Sequence, residues 1–330
     1  MTKDVTTAPA PMRIIVRQGW RLEPQMATHA DEMFVVLSDP AIYEFENQPP
    51  ASLEALRHRY ALLESRGSPD GSEQWFNWVL RLDDGRAAGY LQATLYAGAR
   101  ADIAYELASA HWGRGLAARA VQAMIDELAT HHGVRHLSAM LKRANHRSLR
   151  LLQRLGFVAS SPAEHCRRDI VDDERLLERA CDAGALCVRE CLPDDLADAL
   201  ALWRVSPGVG LSDADEPTAL RRFLARNPGF SAVATRGTLL VGTLLCGHDG
   251  RRGLIHHLAV VEAEWRRGIA RALVERASSA LHRAGIGKCH LMVYADNAAA
   301  LAFWHKVGAR RRSELALCSL TPNGDVDRSC

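Results

Sequence analysis

No stretch of 18 or more uninterrupted apolar residues occurs in this chain of 330 residues, so a membrane-spanning helix is not expected. The opening, MTKDVTTAPAPMRI, has no apolar run of signal-peptide length, which makes the cytoplasm the expected address. An excess of either charge is missing too. Lys and Arg number 41 against 39 Asp and Glu, which argues against a broad nucleic-acid surface but leaves room for a local basic pocket. Eight cysteines are scattered without a C-x-x-C pair or paired His spacing, so no metal site is expected and free thiols are the plain reading. Aromatic residues make up only 6%, yet 48% of residues are hydrophobic, enough to fill cores and unlike a disordered chain.

What is present is one pattern written twice, in a chain whose length suits two domains. Residues 103–133, IAYELASAHWGRGLAARAVQAMIDELATHHG, correspond to residues 255–285, IHHLAVVEAEWRRGIARALVERASSALHRAG. Trp112 and Trp265, Gly115 and Gly268, and Ala117 and Ala270 are each separated by 153 positions; Asn145 and Asn297, and Gly156 and Gly308, by 152. Each copy reads as strand, glycine turn, helix, strand, helix, then Gly-Phe or Gly-Ala leading into a further strand. HLSAML and CHLMVY are the expected second strands. Val121, Met124, Ile125 and Leu128 make one helical stripe, as do Leu273, Val274, Ala277 and Leu281. An Asp84-Gly85 hairpin precedes the first copy. The fold class expected is therefore α/β, two tandem units each with a mixed central sheet flanked by helices. Residues 1–12 are expected to be a disordered tail, 13–182 the first domain and 183–330 the second.

In both copies a basic, glycine-bearing turn opens a helix directly after a strand. The first helical turn offers N–H groups without intrahelical partners and a partial positive charge, and glycine lets a phosphate approach the backbone. A nucleoside-triphosphate loop would need G-x-x-x-x-G-K-[ST], which is absent. A dinucleotide fingerprint fits Gly113-x-Gly115-x-x-Ala118 but fails at Arg266 in the second copy. An ordinary strand-to-helix turn is the plain alternative, and recurrence with the downstream Asn and Gly tells against it.

These residues resemble the GNAT superfamily of acyl-CoA-dependent N-acyltransferases, with its [QR]-x-x-G-x-[GA] turn, then N-x-x-[SA], then Gly-Phe. The first copy is similar to the RimJ/RimL branch, and the second to a small bacterial GNAT acetyltransferase. Trp112 and Trp265 depart from the signature's Gln or Arg. The resemblance implies acetyl-CoA as donor, held by Leu107, Trp112, Gly113, Arg114, Gly115, Leu116, Ala117 and Asn145 in the first copy. In the second it implies Leu258, Val260, Arg266, Arg267, Gly268, Ile269, Ala270, Asn297 and Phe303. Each Asn also reads as an N-cap.

Acetyl transfer needs a neutral amine. Deprotonating a lysine-like amine at pH 7 costs about 4.6 kcal/mol, against about 1 to 1.4 for an α-amino group. The first copy has no histidine on the strand before its turn, only the carboxylates Asp102 and Glu106, which suits a low-pKa amine. In the second, alternation sends His256 and His257 to opposite faces, and the resemblance to serotonin N-acetyltransferases makes His256 the candidate base. The family's thiolate-protonating Tyr is replaced by Leu152 and Trp304. Ser148 is the substitute implied in the first copy and Tyr294 a substitute in the second. Tyr43, Phe45, Glu46 and Trp78, and Trp203, Asp213 and Asp215, are expected as substrate walls. The acceptor expected is a small-molecule amine or a protein N-terminus, reached by direct transfer in a ternary complex. No nucleic-acid or membrane partner is expected, and a homo-oligomer is allowed. The competing expectations are a chain with one catalytic half beside an acyl-CoA-binding regulatory or structural half, and a non-catalytic acyl-CoA-binding module.

Overall fold

The computed structural model describes residues 12–45, 48–181 and 185–319. Glu46, the expected tail up to residue 11 and most of the expected domain boundary lie outside the described residues; Met12 packs against the first core. Residues up to His290 form one compact unit and those from Leu291 a second.

The first unit holds two sheets. The larger has eight strands: β1 (Ile15–Arg17), β2 (Trp20–Pro24), β3 (Glu73–Leu82), β4 (Ala87–Tyr96), β5 (Arg100–Leu107), β6 (His136–Lys142), β7 (Val158–Ala159) and β8 (Glu174–Ala180), in the order β1-β2-β3-β4-β5-β6-β8-β7. With it come α1 (Ala30–Leu37), α2 (Leu53–Leu63), α3 (Leu116–His131), α4 (His146–Arg154) and α5 (Pro162–Arg167). We call these elements the first lobe. The second lobe has β9 (Leu186–Glu190), β10 (Ala232–Arg236), β11 (Leu239–His248), β12 (Gly253–Val260) and β13 (Cys289–Leu291), with α6 (Leu196–Val205), α7 (Pro217–Arg226) and α8 (Ile269–Arg283). In the second unit, α9 (Ala298–Lys306) is the helix described.

Local chemistry accounts for these elements. The β3–β4 hairpin turns where Gly85 adopts φ +85° and the Asp84 carboxylate accepts the Arg86 N–H at 3.0 Å. In α3 the stripe Val121, Met124, Ile125 and Leu128 is at most 1% exposed and packs on a core that includes Trp20, Phe76 and Trp78. Burying four such side chains is worth roughly 1.5–3 kcal/mol each. Leu273, Ala277 and Leu281 are buried likewise in α8.

The lobes share a seam built of charge. The Arg154 guanidinium reaches Glu190 through two hydrogen bonds, and Arg276 donates to the Arg154 carbonyl at 2.9 Å. Arg119 pairs with Asp194. Deeper in, Arg179 donates to Gln122, which donates to Asp126, while Arg189 forms a bidentate pair with Asp195, both bonds 2.7 Å. Burial raises the Asp126 pKa, opposed by the nearby Arg189 and Arg179.

Two sequence expectations fail here. CHLMVY is strand only over Cys289–Leu291, and Gly308-Ala309 leads into no strand among the described residues. In the first copy Gly156-Phe157 does lead into β7.

Candidate active site

The eight-stranded sheet splits down one seam. β5 stays in register with β4 as far as Gly89 opposite Leu107, and β6 stays paired with β8 along its whole length. Between them, parallel pairing is confined to Arg100–His136, Ala101–Leu137 and Asp102–Ser138. Beyond that point Ile103–Leu107 and Ala139–Leu141 line opposite sides of a cavity of about 1120 Å³. Main-chain groups of β5 that would otherwise bond β6 are thereby left for a ligand.

The glycine turn opens at the same cavity. Gly113 and Gly115 adopt φ +74° and +73°, and a Cβ built on either would meet nothing within 4 Å. Gly115 is the N-cap of α3, so the first N–H groups of the helix face open space. Trp112 explains its departure from the family signature: its indole N–H donates to the Leu107 carbonyl at 2.9 Å, tying the turn to the end of β5. The second copy repeats this. Gly268 caps α8 at φ +82°, and the Trp265 indole donates to the Val260 carbonyl at 2.7 Å. Where the first copy has Gly113 the second has Arg266, also left-handed at φ +62°, which for a residue with a Cβ costs about 1–2 kcal/mol.

All ten site residues expected in the first copy line this one cavity: Glu106, Leu107, the turn from Trp112 to Ala117, Asn145 and Ser148. The Ser148 hydroxyl lies 2.7 Å from the Tyr105 hydroxyl, so β5 and α4 touch across the cleft. Burial drives the Tyr105 pKa far up, and that phenol keeps its proton at neutral pH. Asn145 caps α4 by accepting the Ser148 N–H at 2.9 Å. The other expected carboxylate, Asp102, is held by Arg168. Glu106 sits opposite Tyr90 in the β4–β5 register. Tyr43, Tyr60 and Arg59 line the cavity with it. Burial and the Glu106 charge push the Tyr43 phenol up to about 12. Of the expected walls, Tyr43 and Phe45 line the cavity, whereas Trp78 is 0% exposed and belongs to the core.

The second lobe corrects the reading of its histidines. Thr243 faces Ala259 but Leu245 faces His256, so His257 and Leu258 together oppose Leu244 in a β-bulge, with His257 at φ +47°. The bulge breaks the alternation that would separate the two side chains. His257 packs on Trp203 of α6 with ring centroids 4.7 Å apart, and His256 meets Phe223 of α7 edge-on at 6.3 Å. The two imidazoles are 6.2 Å apart. His257 Nε2 is 2.5 Å from Asp215. Burial and then His257 lower the His256 pKa, so His256 is neutral at pH 7. Trp203 is core, 1% exposed, and so forms no wall as expected, while Asp213 is exposed. Arg267 is 3.5 Å from Glu264, and the Ile269 side chain is buried, leaving its main chain to the turn. Leu258 and Ala270 are half-buried. Tyr294, Asn297 and Phe303 belong to the second unit. There Asn297 caps α9 through the Ala300 N–H, Phe303 packs on Trp304, and Tyr294 is 57% exposed.

Residues 21–158 match the family described as an acetyltransferase (GNAT) domain, and residues 196–309 match the acetyltransferase (GNAT) family. An acetyltransferase of Photorhabdus laumondii is 32% identical over 36% of this chain and 83% of its own length. The chain belongs to the GNAT acetyltransferases, with two such domains in tandem. An acetyltransferase of Pectobacterium atrosepticum is 36% identical over 28% of this chain and 66% of its own. The solved ribosomal-protein-S5-alanine acetyltransferase of Vibrio fischeri aligns with a TM-score of 0.43 and 16% identity, covering 51% of this chain and 97% of that one.

This GNAT protein is an N-acetyltransferase whose donor is acetyl-CoA. The first lobe fits that donor by its own geometry: an open cleft beside β5 for an extended arm, and a helix start with open glycines for phosphate. Among the described residues Glu23, His29 and Glu32 have metal-like spacing, but Arg81 is bonded to both carboxylates and supplies the positive charge there. No described helix is long and apolar enough to cross a membrane.

The sequence reading placed Tyr105 on the strand beside the donor but gave its hydroxyl no part, and it missed Arg59, Tyr60 and Tyr90. Tyr90 had a usable signal, because counting out from the Asp84-Gly85 turn and along the next hairpin sets it opposite Glu106. The Asp215–His257 pair had none, because a bulge cannot be read from alternation.

Proposed function

We propose that the first lobe transfers the acetyl group to a primary amine by direct transfer in a ternary complex, and that residues 13–182 and 183–330 are the two domains of the chain. Acetyl-CoA supplies an acetyl group activated on sulfur. The turn from Trp112 to Ala117 holds its diphosphate, and the β5 main chain lies along its arm and donates an N–H toward the reacting carbonyl. Glu106, among tyrosines, attracts a cationic amine and takes its proton. As the C–N bond forms and the C–S bond breaks, the Ser148 hydroxyl, fixed by Tyr105, protonates the departing sulfur and is reprotonated through water by the second proton that the acceptor nitrogen sheds. An α-amino acceptor suits this set best, because its proton leaves at a cost of only about 1 to 1.4 kcal/mol.

The opening between β5 and β6, with Ser148, Glu106 and the glycine turn all on its walls, carries this reading. The test is release of CoA thiol with a panel of peptides, polyamines and aminocyclitols. Turnover with an α-amino acceptor that is lost in Ser148→Ala and Glu106→Gln supports it; wild-type rates in both variants overturn it.

One observation favours a second reading, in which both halves turn over: the second lobe repeats the capped glycine turn and sets a neutral histidine on the strand before it. Two bound equivalents of acetyl-CoA and two separately removable activities would establish it.

A further inference from the structure

The cavity of the first lobe is not walled by that lobe alone. Leu192 and Pro193, and Arg221, Leu224, Ala225 and Pro228 of the α7 region, line it too. Their placement follows from the seam: a Cβ on Gly229 would lie 3.5 Å from Arg154 Nε, so the end of the α7 region abuts the end of α4. Arg221 and Ala225 are one helical turn apart, as are Arg150 and Arg154.

Four of the eight arginines that line this cavity are already committed, while Arg59 and Arg114 lie on the first lobe's own wall and turn. Arg154 holds Glu190, Arg119 holds Asp194, Arg168 holds Asp102, and Arg147 lies 3.7 Å above the Trp112 ring. Arg150 on α4 and Arg221 on α7 have no carboxylate partner among the described residues, yet both line the cavity. Both side chains are exposed and line the cavity, one from each lobe, so an anion in it meets positive charge from both.

We infer that Arg221 of the second lobe, with Arg150 of the first, binds the terminal 3′-phosphate of the donor held in the first lobe. The second lobe is then part of the donor site of the first. The inference rests on the proposal that acetyl-CoA occupies this cavity. The α3 turn takes the diphosphate, and the arginine pair reads a second, separate phosphate, which selects CoA over its 3′-dephospho form.

The test measures affinities of the full chain for CoA and for 3′-dephospho-CoA by calorimetry, in the wild type, Arg221→Ala and Arg150→Ala. Arg222→Ala, an exposed neighbour that does not line the cavity, is the control. Each cavity variant is expected to weaken CoA about tenfold and leave 3′-dephospho-CoA unchanged. Equal loss for both ligands, or no loss for either, overturns the assignment. Gly115→Glu separates this from the underlying reading: if that variant binds CoA as the wild type does, the donor is not in the first lobe at all. If it abolishes binding while Arg221→Ala changes nothing, only the arginine pair is refuted.

Discussion

The two lobes carry the same glycine turn on differently built strands. β5 pairs with its inner neighbour without interruption and parts from β6, whereas β12 is bulged at His257 and draws two imidazoles toward α6 and α7. Around those strands the scaffolding matches closely: left-handed glycine caps, indole-to-carbonyl ties and Asn-capped helices recur in both copies. The repeat has thus kept the same main-chain geometry at the turn, while the titratable groups beside it differ. In the first lobe they are a carboxylate and a hydroxyl, and in the second a histidine pair with Asp215.

Blocking each turn in the same way breaks or upholds this contrast most strongly. Gly115→Glu sets a carboxylate where a diphosphate belongs and is expected to lower kcat/KM by on the order of 10³-fold or more, while Gly268→Glu leaves the acceptor activity within about threefold. Equal losses in steady-state kinetics would put the two lobes on the same footing. Ser148→Ala should then reduce kcat about 10²- to 10⁴-fold with little change in donor affinity, the range for losing a positioned acid. Tyr105→Phe should cost about tenfold, because it loosens the acid without removing it.

Smaller effects test the second lobe. The His256 pKa is depressed in the fold, so its contribution to stability is present above the unfolded value near 6.5 and is lost as pH falls below it. Chemical denaturation between pH 7 and pH 5 should therefore show a shallower loss for His256→Gln than for the wild type; parallel curves would deny it the shift. His257 and Asp215 lie beside it, and Asp215→Ala should cost about 1–3 kcal/mol by leaving the half-buried imidazole without its acceptor. The smallest change is Arg266→Gly. Relief of a left-handed non-glycine residue should raise stability by about 0.5–1 kcal/mol, and the reciprocal Gly113→Arg should lower it similarly. A thermal melt unaffected by either exchange would mean the two turns are not equivalent.

Much of this was legible in the chain. The 153-residue spacing located both turns, and stripes such as Val121 to Leu128 located the helices behind them, because backbone periodicity leaves a mark at fixed intervals. In the first lobe the residues that the resemblance implied for the donor line one cavity, since a strand, a turn and a helix in sequence leave little geometric choice. The acceptor side was far less legible. Trp78 was expected as a wall but lies in the core, because an aromatic residue on a central strand reads the same whichever face it takes. Tyr105 and Ser148 are 43 residues apart, and their contact depends on how two sheet halves diverge. The part played by α7 was invisible for the same reason, as it comes from packing between copies and not from the pattern inside one.

The ionic seam carries a consequence for any attempt to divide this protein. Arg189 and Asp195 enter from the second lobe and pair with each other, Asp126 and Arg179 come from the first, and Arg189 offsets part of the cost of burying Asp126. A fragment ending near residue 181 would expose Leu192's former apolar berth together with Asp126 and Arg179, and sedimentation should find it self-associated. Gene fission at the repeat boundary would thus yield adhesive pieces and not two independent enzymes.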